Sequence, residues 1–145
     1  AQDVNLEKRD ILLLRTGAIE AWYEESPEVY RAEYEKERGE GLPNVNLPGI
    51  TYTKELVEWF HEMEIPAYCT DTLGFEQTYS DETGTLHPLH QPFIRDLGIA
   101  GNEISYFREL AADCADDEKY DFLFVGVPLK IMGGAGGPVN PVAIK

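Results

Sequence analysis

The residues best suited to chemistry fall in one stretch, "HPLHQPFIRDLGIAGNE", residues 87–103. Two of the chain's three histidines, His87 and His90, stand here three apart, and Glu103 follows the second after 13 residues. Neutral imidazoles and carboxylates are what zinc and similar divalent ions take as ligands, and a typical site draws on at least three protein donors. His87, His90 and Glu103 have the right types to supply three. Their spacing argues only weakly. Pro88 breaks any helix between the two histidines, so they are not a helical zinc pair, and a glutamate at Glu103 also suits the positive end of a following helix. On spacing alone the stretch is either part of a metal site or a histidine pair on a turn.

Other chemistries find less support. The loop "GGAGGPVNP" (residues 133–141) could present backbone N–H groups as an anion nest, but it lacks the Lys-Ser/Thr of a phosphate loop and no helix pattern follows it. It reads as a tight connection against the core. There is no G-x-S-x-G, and neither Cys69 nor Cys114 is close to a histidine in sequence, so a nucleophile triad has no basis. The two cysteines are far apart, outside any C-x-x-C pair, and in apolar segments. They read as reduced core residues, from which a cytoplasmic location is expected. A formal charge of −15 makes nucleic acid a poor partner, repels anionic membranes and favours cations near the surface. No apolar run is long enough to span a membrane, and no signal peptide is visible from Ala1 onward.

The elements that must hold these residues follow an α/β pattern. "ILLLRT" (residues 11–16) reads as a strand buried on both faces and ending at Gly17. The acidic, aromatic residues 18–40 include a helix with Ser26 as cap and Pro27 at its first position. It is either a solvated helix or, through tyrosines such as Tyr30, a subunit contact or lid. Leu56, Trp59, Phe60 and Met63 give the clearest helical stripe, capped by Thr51 or Thr53, with His61 off the stripe. "IPAYCTDT" (residues 65–72) reads as a second buried strand carrying Asp71 near its end, and a strand after a helix at this distance is the α/β signature. A long polar loop follows, then one or two helical turns at Phe93, Ile94 and Leu97 closed by Gly98. A helix capped by Ser105 comes next, then a third strand in residues 120–128. At 145 residues the chain suffices for a single domain, or forms part of one.

Taken together, the segments "RDILLLRTG", "PGITYTKELVEWFHEMEIPAYCTDTLGFE", "HPLHQPFIRDLGIAGNEISYFREL" and "FLFVGVPLKIMGGAGGPVNPVAI" resemble, in that order, the "Putative cyclase" family. That family includes bacterial kynurenine formamidases and isatin hydrolases. The last segment is the most specific, and the resemblance runs from Asp10 to Ile144. It implies a swivelling β/β/α fold, usually in dimers or tetramers, and metal-dependent hydrolysis of amides and cyclic amides with zinc or manganese. It also implies that His90 and Glu103 are metal ligands. His87 is the second choice, because related members place the histidine one residue differently relative to the glutamate. Asp71 is either a residue orienting a ligand or a plain strand-end carboxylate. Trp22, Tyr23, Tyr30 and Phe75 are candidates for an apolar substrate pocket.

The departure from the family is equally specific. The N-terminal H-x-G-T-H-x-D motif, which supplies most ligands and precedes a catalytic histidine, is absent. The expectation is therefore a chain corresponding to the C-terminal portion of such an enzyme. It would supply part of a metal site to an amide, formamide or lactam hydrolase, as a homo-oligomer or with a chain bearing the N-terminal half. The alternative is a non-catalytic fragment or subunit of the same fold that acts with a partner chain.

Overall fold

The apolar run after Asp10 becomes strand β1, Leu12–Leu14. In the computed structural model, which describes residues 2, 4–29 and 47–145, β1 is an edge strand. Strand β2, Ala67–Thr70, lies at the centre, and β5, Ala100–Asn102, forms the other edge. All three run parallel, with Leu13 opposite Cys69 and Cys69 opposite Asn102. This order corrects two readings of the sequence. β1 is only half-buried, because an edge strand keeps one flank open, whereas Tyr68, Cys69 and Thr70 of the central strand are buried. The third parallel strand is Ala-Gly-Asn at 100–102, a segment without β-branched residues that propensity does not mark.

The chain forms two compact units, Glu7–Phe107 and Ala1–Leu6 with Arg108–Lys145. In the larger one, helix α1, Ala18–Glu24, follows Gly17, whose φ of 88° only glycine adopts without strain. Ser26 then accepts from Val29 N–H at 3.3 Å, as a cap should. Helix α2, Lys54–Glu62, is capped by Thr53, whose Oγ1 accepts from Leu56 N–H at 3.1 Å. Its apolar stripe packs Phe60 against Tyr68 and Phe93, and these join Ile65, Phe75, Leu89 and Ile99 in the core. The long polar segment after Asp71 is not structureless. It contains the hairpin of β3, Tyr79–Ser80, and β4, Thr85–Leu86. A π-helical turn, Gln91–Asp96, then leads to Gly98 at φ 70° and into β5.

The smaller unit holds helix α3, Arg108–Asp117, with Cys114 buried. Before it, the Ser105 hydroxyl accepts from the Asn102 amide at 2.7 Å. Strands β6, Leu123–Val125, and β7, Val142–Ile144, pair antiparallel, with Leu123 opposite Ile144 and Val125 opposite Val142. The strand read from residues 120–128 is thus shorter than expected, and its partner is β7 rather than the parallel sheet. Among the described residues, no helix is long and apolar enough to cross a membrane.

Candidate metal centre

The C-terminal ends of the parallel strands, where ligands gather in open α/β sheets, carry the acidic residues. β2 runs into Asp71, and β5 into Glu103. Beyond β2 the chain turns at Gly74, with φ 92°, and Phe75–Glu76 returns beside Ile50. Gly49 makes that return possible, since a Cβ there would lie 2.5 Å from the carbonyl carbon of Glu76. Glu76 is thereby placed fully inside the protein, at 0% exposure.

The histidines arrive from the other side. His87 sits just after β4 with φ 49°, a left-handed conformation that is uncommon outside glycine, and its N–H donates to Thr78 O at 2.9 Å. Gly74 leaves room for its ring: a Cβ there would stand 3.1 Å from His87 Cε1 and Nδ1. His90 begins the π-helical turn and stacks on Phe75, with ring centroids 4.2 Å apart and planes 13° from parallel. Glu103 precedes Ile104, which also has a positive φ, 56°, and is held there by an N–H bond to Thr72 O at 3.0 Å. Positive φ in a β-branched residue is strained, and such strain tends to collect at functional sites.

His90 is therefore flanked by a carboxylate on each ring nitrogen. Nδ1 lies 2.7 Å from Glu76 Oε1, and Nε2 lies 3.3 Å from Glu103 Oε1. His87 Nδ1 approaches the same Glu76 oxygen at 3.7 Å. Glu76, His87 and His90 each offer a ligand atom within 4.8 Å of the others, a group that could hold a metal ion.

The donor set fits a divalent ion on two observations. Glu76 Oε2 and His87 Nδ1 are buried polar atoms with no hydrogen-bond partner. Leaving such atoms unsatisfied costs roughly 1–3 kcal/mol each, more where charge is involved, so a further partner is expected. In addition, two donors about 2.1 Å from one tetrahedral zinc stand about 3.4 Å apart, close to the observed His90 Nε2–Glu103 separation of 3.3 Å. A carboxylate on Nδ1 is the usual means of fixing the tautomer of a histidine that ligates through Nε2.

The other residues nominated by sequence take different places. Asp71 is buried, and its carboxylate accepts from Thr16 N–H and Thr16 Oγ1 at 2.8 Å and from Gly17 N–H at 2.6 Å. Its oxygens are thus occupied in fastening the turn after β1. Trp22 and Tyr23 are exposed on α1, and Tyr23 meets Tyr106 edge-on at 5.9 Å. Phe75 is a core residue beneath His90. Tyr30 lies outside the described residues. His61 is exposed in the last turn of α2. Glu76 is the residue that the site reading missed: among 27 acidic side chains only its neighbours Gly74 and Phe75 hint at burial. Beside His87 runs a groove of about 600 Å³, where apolar residues such as Val57, Leu86 and Pro92 alternate with the charged Lys54, Glu58 and Asp96.

Fold and site together define an α/β protein that gathers histidines and carboxylates at the C-terminal end of a short parallel sheet. The "Putative cyclase" family model matches residues 1–77, more than half of the chain, and the chain belongs to that family. A solved structure described as "Crystal structure of a novel cyclase" is similar to 99% of this chain, at 33% sequence identity and a TM-score of 0.78. The chain spans 43% of the length of that structure's chain. No curated protein matches it.

Proposed function

We propose that this chain contributes part of a divalent-metal centre to a hydrolase of amide, formamide or cyclic amide bonds. The observation that carries the reading is His90, held between Glu76 on Nδ1 and Glu103 on Nε2. His90 Nε2 and Glu103 would hold zinc or manganese, and Glu76 would accept a hydrogen bond from Nδ1–H and fix the ring. Phe75 keeps the imidazole plane in place by stacking. What the ion supplies when bound is Lewis acidity toward a scissile carbonyl and a more acidic water. The groove beside His87 mixes apolar walls with the charged Lys54, Glu58 and Asp96, and would take a substrate with both apolar and polar parts. Two side chains do not fill a zinc coordination sphere, which agrees with a chain that spans less than half of a solved cyclase.

A second arrangement is favoured by the closeness of Glu76, His87 and His90. In that case Glu76 would itself be a ligand, together with one nitrogen of each histidine, rather than the acceptor of the Nδ1–H bond of His90. Zinc titration of the 145-residue protein separates them. With Glu103 as ligand, Glu103→Ala and His90→Ala abolish binding. Glu76→Ala then weakens it by about 10–100-fold, the usual cost of losing the partner that orients a ligand. If His87→Ala abolishes binding and Glu103→Ala leaves it intact, the second arrangement holds. Zinc affinity unaffected by His90→Ala would end both.

A further inference from the structure

His87 joins the donor cluster to the groove. Its side chain is 41% exposed, yet its Nδ1 is buried and lies 3.7 Å from Glu76 Oε1. Nδ1 and Cε1 are also the ring atoms closest to Gly74. The exposed part of the ring is therefore the opposite edge, Cδ2 and Nε2, and His87 lines the groove between Leu86 and Pro88. The residue is held in this pose by its left-handed backbone, φ 49°, with its N–H donating to Thr78 O at 2.9 Å.

The carboxylate decides which ring nitrogen carries the proton. Glu76 is fully buried, and its Oε1 already lies 2.7 Å from His90 Nδ1. A bare Nδ1 on His87 would aim its lone pair at that oxygen, whereas an Nδ1–H is attracted to it. A neutral imidazole has one N–H, so with the proton on Nδ1 the Nε2 at the groove is an acceptor. An acceptor at a groove wall calls for a ligand that brings a donor. On the other walls Val57, Leu86 and Pro92 give apolar surface beside the charged Lys54, Glu58 and Asp96, and Lys54 and Thr85 can donate to a carbonyl. We infer that His87 is a specificity-determining residue, whose Nε2 accepts from the N–H of a secondary amide or lactam lying in the groove and so selects it over an N-alkylated amide. The inference rests on the reading in which His90 Nε2 and Glu103 hold the ion, because His87 is then left to face the ligand. An N-alkylated amide has no proton to give and sets a methyl group against Nε2.

The test uses caprolactam and N-methylcaprolactam, which share a ring and a carbonyl and differ at the amide nitrogen. Each is titrated into the 145-residue protein with EDTA present, at about pH 8, where imidazole is ordinarily neutral. Long-range proton–nitrogen NMR of the histidines should show His87 protonated on Nδ1. Caprolactam should shift the His87 Nε2 resonance in the direction of an accepted hydrogen bond, and bind about 10-fold more tightly than the N-methyl form, the worth of one hydrogen bond. His87→Ala should erase that preference by weakening caprolactam alone. The wild-type spectra need no variant, so the inference stays falsifiable if His87→Ala does not fold. Equal affinities of the wild type for the two lactams, a proton on Nε2, or a His87 resonance indifferent to caprolactam would overturn it. Zinc titration of His87→Ala keeps this inference apart from the metal reading. Unchanged zinc affinity with a lost lactam preference supports both, and unchanged zinc affinity with no preference in the wild type overturns the groove inference alone. Loss of zinc binding would make His87 a ligand and overturn the metal reading and the inference with it.

Discussion

At the scale of single residues, the site depends on close approaches that only glycine allows. A Cβ on Gly101 would lie 2.4 Å from Phe75 Cε1, and Phe75 is wedged in the core with His90 stacked on it. Gly101→Ala is therefore expected to cost about 1–3 kcal/mol by overpacking and to weaken zinc binding as Phe75 pushes His90 away from Glu103. Urea denaturation and zinc titration of the same variant read both effects; loss of stability with unchanged affinity would detach the stacking from the site. Cys69 makes a separate prediction. Burial pushes its thiol from an ordinary value of 9.0 up to about 11, against a smaller opposing effect of its hydrogen bond with Asn102. The unfolded chain releases this proton first, so between about pH 9 and 11 the folded state binds more protons and stability falls as pH rises. The shift corresponds to about 2–3 kcal/mol once pH passes the folded value. Burial raises the Tyr68 hydroxyl in the same sense. Cys69→Ala should flatten this alkaline loss in melts recorded from pH 8 to 11, and an unchanged slope would remove Cys69 as its source.

At the scale of elements, the sequence announced what periodicity and capping control. The stripe of Leu56, Trp59, Phe60 and Met63 formed α2, and of the two caps considered Thr53 is the one that bonds, to Leu56 N–H. Thr53→Ala should lower stability by about 1 kcal/mol, measurable by chemical denaturation, whereas Thr51→Ala should not remove a cap; equal effects would assign the capping wrongly. Other elements were not legible because long-range pairing decides them. Ala-Gly-Asn is a strand at 100–102 because β2 offers it an edge, and Phe75 packs where Gly101 has no side chain. The β3–β4 hairpin is held in a polar segment by Ser80 and by the turn at Gly84, φ 65°. The π-helical turn at Gln91–Asp96 could not be read from Pro92 and Phe93 either. It takes up one residue more than an α-helical turn. His90 and Glu103 were nominated by family resemblance and stand within 3.3 Å of each other, whereas Glu76 is distinguished only by a burial that the fold creates.

At the scale of the whole molecule, the chain is a cyclase-family protein that spans 43% of a solved relative. Its parallel sheet carries the donor cluster, and its hairpin carries an apolar face with open edges. The proposed role of His90 is that of a ligand through Nε2, with Nδ1–H donating to Glu76. The most direct test is long-range proton–nitrogen NMR of the histidine side chains in the 145-residue protein before and after adding zinc. With the ion on Nε2, the His90 Nε2 resonance moves to a metallated position while Nδ1 stays protonated toward Glu76. A zinc shift on Nδ1, or His90 resonances that do not respond while zinc binds elsewhere, would contradict it.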